Sequence, residues 1–350
     1  MTEAAGTLNS PFRERLYELE AEYCKHYKFD DSEASRLHAE ISALLLENCP
    51  DWHEFSQREL GSIFDIYQMI NISGETIRRL ADMEVGGLSD SDSSSFQEAI
   101  NYVEGITELD LSSVKEVRLN RYDCIYSEGE CVACDKNNHH VYYSLDSNQV
   151  SSVDLLCHEV GHAADFINAR TEFLEDNSLH RHQSLAEAVA FYCQFRYLIE
   201  YGDEKKRTAS LGAFLYTYLA YLLCCHCFNN KIPLDQIEPY EAVEDEIFSS
   251  FIAAYLPRHG EEVARDFVAG KISAIQNQYQ DLSQVIFMEL NARLGIPLAL
   301  ALLSIHNSNL YQVSKSNILS VELKEVVQGI DSGILGSLSN LDVLIAKYIG

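Results

Sequence analysis

Apolar residues recur at helical spacing from the start of the chain. Phe12, Leu16, Leu19 and Tyr23 fall three or four apart, with Ser10 placed to cap and Pro11 at the first helical position. The same period predicts a second helix over about 32–48. A third is expected to open at the capping-box pattern Ser56-x-x-Glu59 and run through Leu60, Ile63, Tyr67 and Ile70. A fourth is expected over 73–83 and a short fifth ending near Val103. Between them, Gly86-Gly-Leu-Ser-Asp-Ser-Asp-Ser-Ser-Ser95 is a loop by composition.

After Leu109 the period changes. Val114–Leu119, Glu130–Cys134 and His139–Leu145 read as strands, with Glu128-Gly129 and Asn137-Asn138 as the turns between them. They predict a small antiparallel sheet, ended by Asp146-Ser147-Asn148. The next segment, Val153–Ile167, is a helix with a buried side made by Leu155, Leu156, Val160, Ala163 and Phe166. From Ser184 to Tyr348 nearly everything reads as helix again, with no internal repeat. The chain is therefore expected to be α+β and predominantly α-helical. Three consecutive parts are expected: a helical lobe over 1–108, a core of sheet and helices over 109–200, and a second helical lobe over 201–350.

At 350 residues and 47% hydrophobic, the chain can bury a sizeable core. Its net charge of −28, from 54 acidic against 26 basic residues, argues against nucleic acid or an anionic membrane as a partner. Thr208–Asn230 carries no Asp, Glu, Lys or Arg, yet holds Tyr216, Thr217, Tyr218, Tyr221 and His226. It is expected to be a buried helix and not a membrane span. Ten cysteines, behind a polar opening Met1-Thr-Glu-Ala-Ala-Gly6, favour free thiols in a reducing cytoplasm. Export without a cleaved N-terminal signal, as for a protein delivered into another cell, stays open. Nothing in the sequence fixes an oligomeric state.

The chemistry concentrates in His158-Glu159-Val160-Gly161-His162, an H-E-x-x-H pattern on the predicted helix. Residues four apart share a helix face, so His158 and His162 can offer two imidazoles to one zinc ion, Zn2+. Glu159 sits beside them, where a carboxylate can take a proton from water as general base. Three protein ligands are usual at a catalytic zinc. Glu187 is the expected third, because a carboxylate in the apolar turn Ser184–Tyr192 is costly to bury unless a cation meets it. The alternative is an exposed Glu, or an ion pair with Arg181 or Arg196. Asp165, one turn beyond His162, suits a hydrogen bond to a ligand imidazole. His180 and His182 are weaker ligand candidates in a loop.

H-E-x-G-H with a Glu after 24 intervening residues resembles the thimet oligopeptidase and oligoendopeptidase family of gluzincin metallopeptidases. The resemblance implies a zincin-like, largely helical fold with a deep channel, zinc as cofactor and a peptide or protein as substrate. Ala213-Phe-Leu-Tyr-Thr-Tyr-Leu219 is similar to the family's tyrosine-rich helix. Tyr218 matches the tyrosine that stabilises the oxyanion, with Tyr216 and Tyr221 as alternatives. Leu211 stands where the family has a second catalytic tyrosine.

Other signals mean less. Cys131-x-x-Cys134 opens a zinc-ribbon pattern, but its spacing to Cys224, Cys225, His226 and Cys227 is unlike a standard structural zinc site. His139-His140 opens a strand that, at a sheet edge, would bind substrate backbone by strand addition.

Overall fold

The computed structural model describes residues 11–84, 96–119, 129–146, 149–150, 152–172, 179–305 and 309–350. Ser10, the 86–95 run, Glu128 and Ser147–Asn148 lie outside the described residues. The chain divides into two compact units, one of residues 1–57, 89–197 and 309–322, the other of 58–88, 198–308 and 323–350. These units cut across the three consecutive lobes expected at 1–108, 109–200 and 201–350. Residues 58–88 fall with 198–308, and not with their neighbours in sequence.

In the first unit, α1 (Pro11–His26) packs on α2 (Asp31–Asn48). Asp30 caps α2 by accepting the Glu33 backbone N–H at 3.1 Å. The third helix, α3, spans Trp52–Met69, so the Ser56-x-x-Glu59 pattern lies inside it and does not start it. Ser56 and Glu59 are both buried. The local capping signal lost to a helix that packing carries one turn further back. The fourth helix, α4 (Gly74–Glu84), belongs to the second unit and does begin as expected, with the Ser73 hydroxyl accepting the Thr76 N–H at 3.2 Å. The fifth, α5, spans Phe96–Thr107.

Strands β1 (Lys115–Leu119), β2 (Gly129–Val132), β3 (His140–Asp146) and β4 (Gln149–Val150) follow. They form one sheet in the order β1-β3-β2, with β4 paired to the end of β3. β2 and β4 run antiparallel to β3, but β1 runs parallel to it, so the sheet is mixed and not purely antiparallel. Alternation marks a strand without giving its direction. β3 is central, and Val141, Tyr142 and Tyr143 are successively buried, as a strand covered on both faces requires. His139-His140 therefore does not open an edge strand. Among the described residues β2 pairs with β3 alone.

Two long helices, α6 (Val153–Glu172) and α7 (Gln183–Tyr201), come next. α6 packs against α5, β2 and the helix Leu310–Ser316. Its far end is pinned by Arg170, whose guanidinium forks onto Glu20 of α1 at 2.5 and 2.8 Å with both side chains buried.

In the second unit, α8 (Glu204–Ala209) and α9 (Gly212–Asn230) pack with α4. α9 is apolar all round, as a core helix is. Two stretches, Glu204–Asn230 and Leu282–Ser304, are long and apolar enough to cross a membrane by length and composition. In each, 72% of the most apolar window is buried inside the fold. Within Leu282–Ser304, Val285–Leu290 is a turn of π-helix, and its Glu289 accepts from Thr217 Oγ1 at 2.8 Å and Tyr279 OH at 2.9 Å.

Candidate metal centre

The i, i+4 spacing on α6 does what helix geometry requires of it. The imidazoles of His158 and His162 stand side by side, ring centroids 4.9 Å apart and planes at 85°. Glu187 Oε2, from the first turns of α7, lies 3.5 Å from His158 Nε2 and 3.7 Å from His162 Nε2. A tetrahedral zinc with bonds of ~2.0–2.1 Å holds its ligand atoms about 3.3–3.4 Å apart. The two carboxylate-to-imidazole distances therefore fit zinc after closing by a few tenths of an ångström, and all three donor atoms lie within 4.8 Å of one another. The side chains are 12–15% exposed, so the cluster is sheltered with a small opening to solvent. A catalytic metal needs such an opening, and a structural one does not.

Gly161 is what lets α7 come this close. A Cβ there would sit 2.9 Å from the Ala190 Cα and 3.2 Å from Cys193 Sγ. Glycine costs a helix interior about 0.5–1 kcal/mol relative to alanine, and here the cost is offset by bringing Glu187 to the histidines. Gln194 of α7 also donates to Asp154 of α6 at 3.0 Å, tying the two helices. On the other side of His158, the Phe191 ring stands edge-on at 4.5 Å and limits its rotation. His158 Nδ1 is buried and, among the described residues, has no hydrogen-bond partner.

Glu159 turns toward the sheet. Its Cγ occupies the space a side chain at Gly129 would need, since a Cβ there would fall 2.9 Å away. Its carboxylate accepts the backbone N–H of Cys131 on β2. Burial pushes the Glu159 carboxyl up to about 7, opposed by His162 and reinforced by Glu187 and Glu130. A carboxyl near neutrality suits a group that must take a proton and give it back. Gly129 reads as a turn residue in the sequence. It is the first residue of β2, and its functional part is the absence of a side chain over Glu159.

Other expected residues fall elsewhere. Asp165 does not hydrogen-bond a ligand imidazole among the contacts described. It receives Arg181 at 2.8 Å and the Ser314 hydroxyl at 2.6 Å, and so braces α6 to the helix Leu310–Ser316. That buried pair also takes Arg181, one of the two arginines considered as a partner for Glu187. His182 is held by the Val321 carbonyl at 2.8 Å, and the His180 carbonyl accepts from Leu319 N–H at 2.8 Å. Neither histidine joins the donor cluster. Tyr218 belongs to the second unit, where its ring stacks on Phe251 at 6.3 Å and tilts against Tyr221 at 5.8 Å. Tyr221 stacks on Tyr67, and Tyr216 carries Lys271 over its ring. His226 is taken by Asp245 at 2.7 Å, and the cysteines around it assemble no metal cluster among the described residues.

No family model matches the sequence, and no curated protein matches it. A solved structure from Bacillus anthracis str. Ames, provisionally assigned as an oligoendopeptidase F, is similar at 13% identity and a TM-score of 0.41, over 96% of this chain and 67% of its own.

Proposed function

We propose that this chain is a zinc-dependent peptidase of the gluzincin type. The observation that carries the reading is the convergence of His158 Nε2, His162 Nε2 and Glu187 Oε2, with the half-buried Glu159 beside them. His158, His162 and Glu187 would hold the metal. When bound there, zinc acidifies a water and polarises the scissile carbonyl.

The remaining work falls to side chains. Glu159, fixed by the Cys131 N–H and by the gap at Gly129, takes the proton of the attacking water and passes it to the departing amine. β2 lies over Glu159, and among the described residues it pairs with β3 alone, an arrangement that would suit a substrate bound by strand addition. Tyr218 is proposed as the donor to the tetrahedral oxyanion on the family resemblance alone. The test is a proteomic comparison of cleavage products made by the wild type and by Glu159→Gln. Products from the wild type alone, with zinc retained by both proteins, are expected. Equal product sets, or none from either, overturn the reading.

A further inference from the structure

A second set of donors converges in the first unit, near the far end of α6, where Arg170 donates to the Asp135 carbonyl. Cys24 in the last turn of α1, Cys134 just beyond β2 and His140 at the start of β3 place two sulfurs and one imidazole nitrogen within 4.8 Å of one another. The cysteines are 3% and 4% exposed.

The hydrogen bonds decide which nitrogen of His140 is available. Tyr142 donates its only hydroxyl proton to the Cys24 carbonyl at 2.9 Å. Toward His140 Nδ1, 3.3 Å away, the same hydroxyl can only accept, so Nδ1 carries the proton. The lone pair is then on Nε2, which is buried and, among the described residues, has no hydrogen-bond partner. A neutral imidazole with one nitrogen steadied by an outer oxygen is how ligand histidines are held. The loop carrying Cys134 is also set in place. Its N–H donates to His139 Nδ1 at 3.1 Å, and Asp135 accepts the N–H groups of Asn137 at 2.9 Å and Asn138 at 3.1 Å.

We propose that Cys24, Cys134 and His140 form a second metal site, taking a thiophilic ion and clamping α1 to the β2–β3 connection. Two thiolates and an imidazole with no carboxylate are soft donors, which select zinc or copper(I). The site does not depend on the peptidase reading.

The test uses the full chain carrying His158→Ala and His162→Ala, so that the first centre cannot contribute. Reduced, anaerobic protein is titrated separately with zinc and with copper(I), desalted and counted by elemental mass spectrometry. One equivalent of bound ion is expected, and the ion that is held identifies the metal. The equivalent should disappear when Cys24→Ser and Cys134→Ser are added, and should persist with His140→Cys. Serines at these buried positions risk unfolding the protein, so cobalt(II) is also added with both thiols intact. Thiolate-to-cobalt charge-transfer absorption in the near ultraviolet is expected. Binding that survives loss of both thiols overturns the site, as does a Cys24–Cys134 disulfide in the anaerobic protein. So does the absence of both a bound ion and the cobalt band.

Discussion

The two donor clusters of the first unit are made of opposite materials. One offers two imidazoles and a carboxylate that are 12–15% exposed, drawn from neighbouring helices. The other offers two thiols under 5% exposed and one imidazole, drawn from α1, the segment after β2 and the start of β3. Partly exposed nitrogen and oxygen donors leave room for a substrate, whereas the two buried thiols are screened from one. The contrast shows that grouping of metal-ligating residues is not enough to name a reaction centre. A base at hand and access from solvent make the difference, and Glu159 stands at only one of the two clusters.

The comparison breaks most directly at Glu159. Glu159→Gln is expected to lower peptide cleavage by about 10²–10⁴-fold while zinc content stays constant, measured as kcat together with elemental analysis. Tyr218→Phe is expected to lower kcat by about 10²–10³-fold with KM and metal content unchanged. A loss of less than about tenfold leaves Tyr218 with the stacking role that its contacts to Phe251 and Tyr221 already explain.

Gly129→Ala places a methyl group 2.9 Å from Glu159 Cγ and should displace the base without touching a ligand. A fall of about 10²-fold in kcat at full metal occupancy is expected, the size of effect that a misplacement near 1 Å produces. The sulfur side is sharpened by acid. His139, fully buried beside Cys134, is held neutral because burial keeps its pKa well below 6.5, helped by the charge of Arg170. The unfolded chain binds a proton there below pH 6.5 that the folded chain refuses, so stability should fall as pH drops below that value. The slope is at most about 1.4 kcal/mol per pH unit, and urea melts of the wild type and of His139→Gln read it.

The side chains that converge in the first cluster could be named from the sequence. His158 and His162 needed only the helical period, and Glu187 could be found from the cost of a carboxylate in an apolar turn. Gly161 was legible as part of the motif, but its use was not, because the atom it must avoid is the Ala190 Cα on another helix. Gly129 failed for the same reason: it faces a side chain thirty residues further on. The Ser56-x-x-Glu59 box met every local rule and still lay inside a helix, since burial of both residues outweighed the cap. The direction of β1 could not be read from a pattern that is the same forwards and backwards.

What the sequence alone determined is periodic. Helices, strands and the shared face of His158 and His162 follow from residues a few positions apart, where backbone geometry fixes the distances. What only the tertiary structure decided is every contact between distant segments: Glu187 against the imidazoles, Gly129 over Glu159, and Cys24 beside Cys134 and His140. Those meetings depend on which buried surfaces pack together. Packing is settled by the whole chain at once, and no short stretch of residues encodes it.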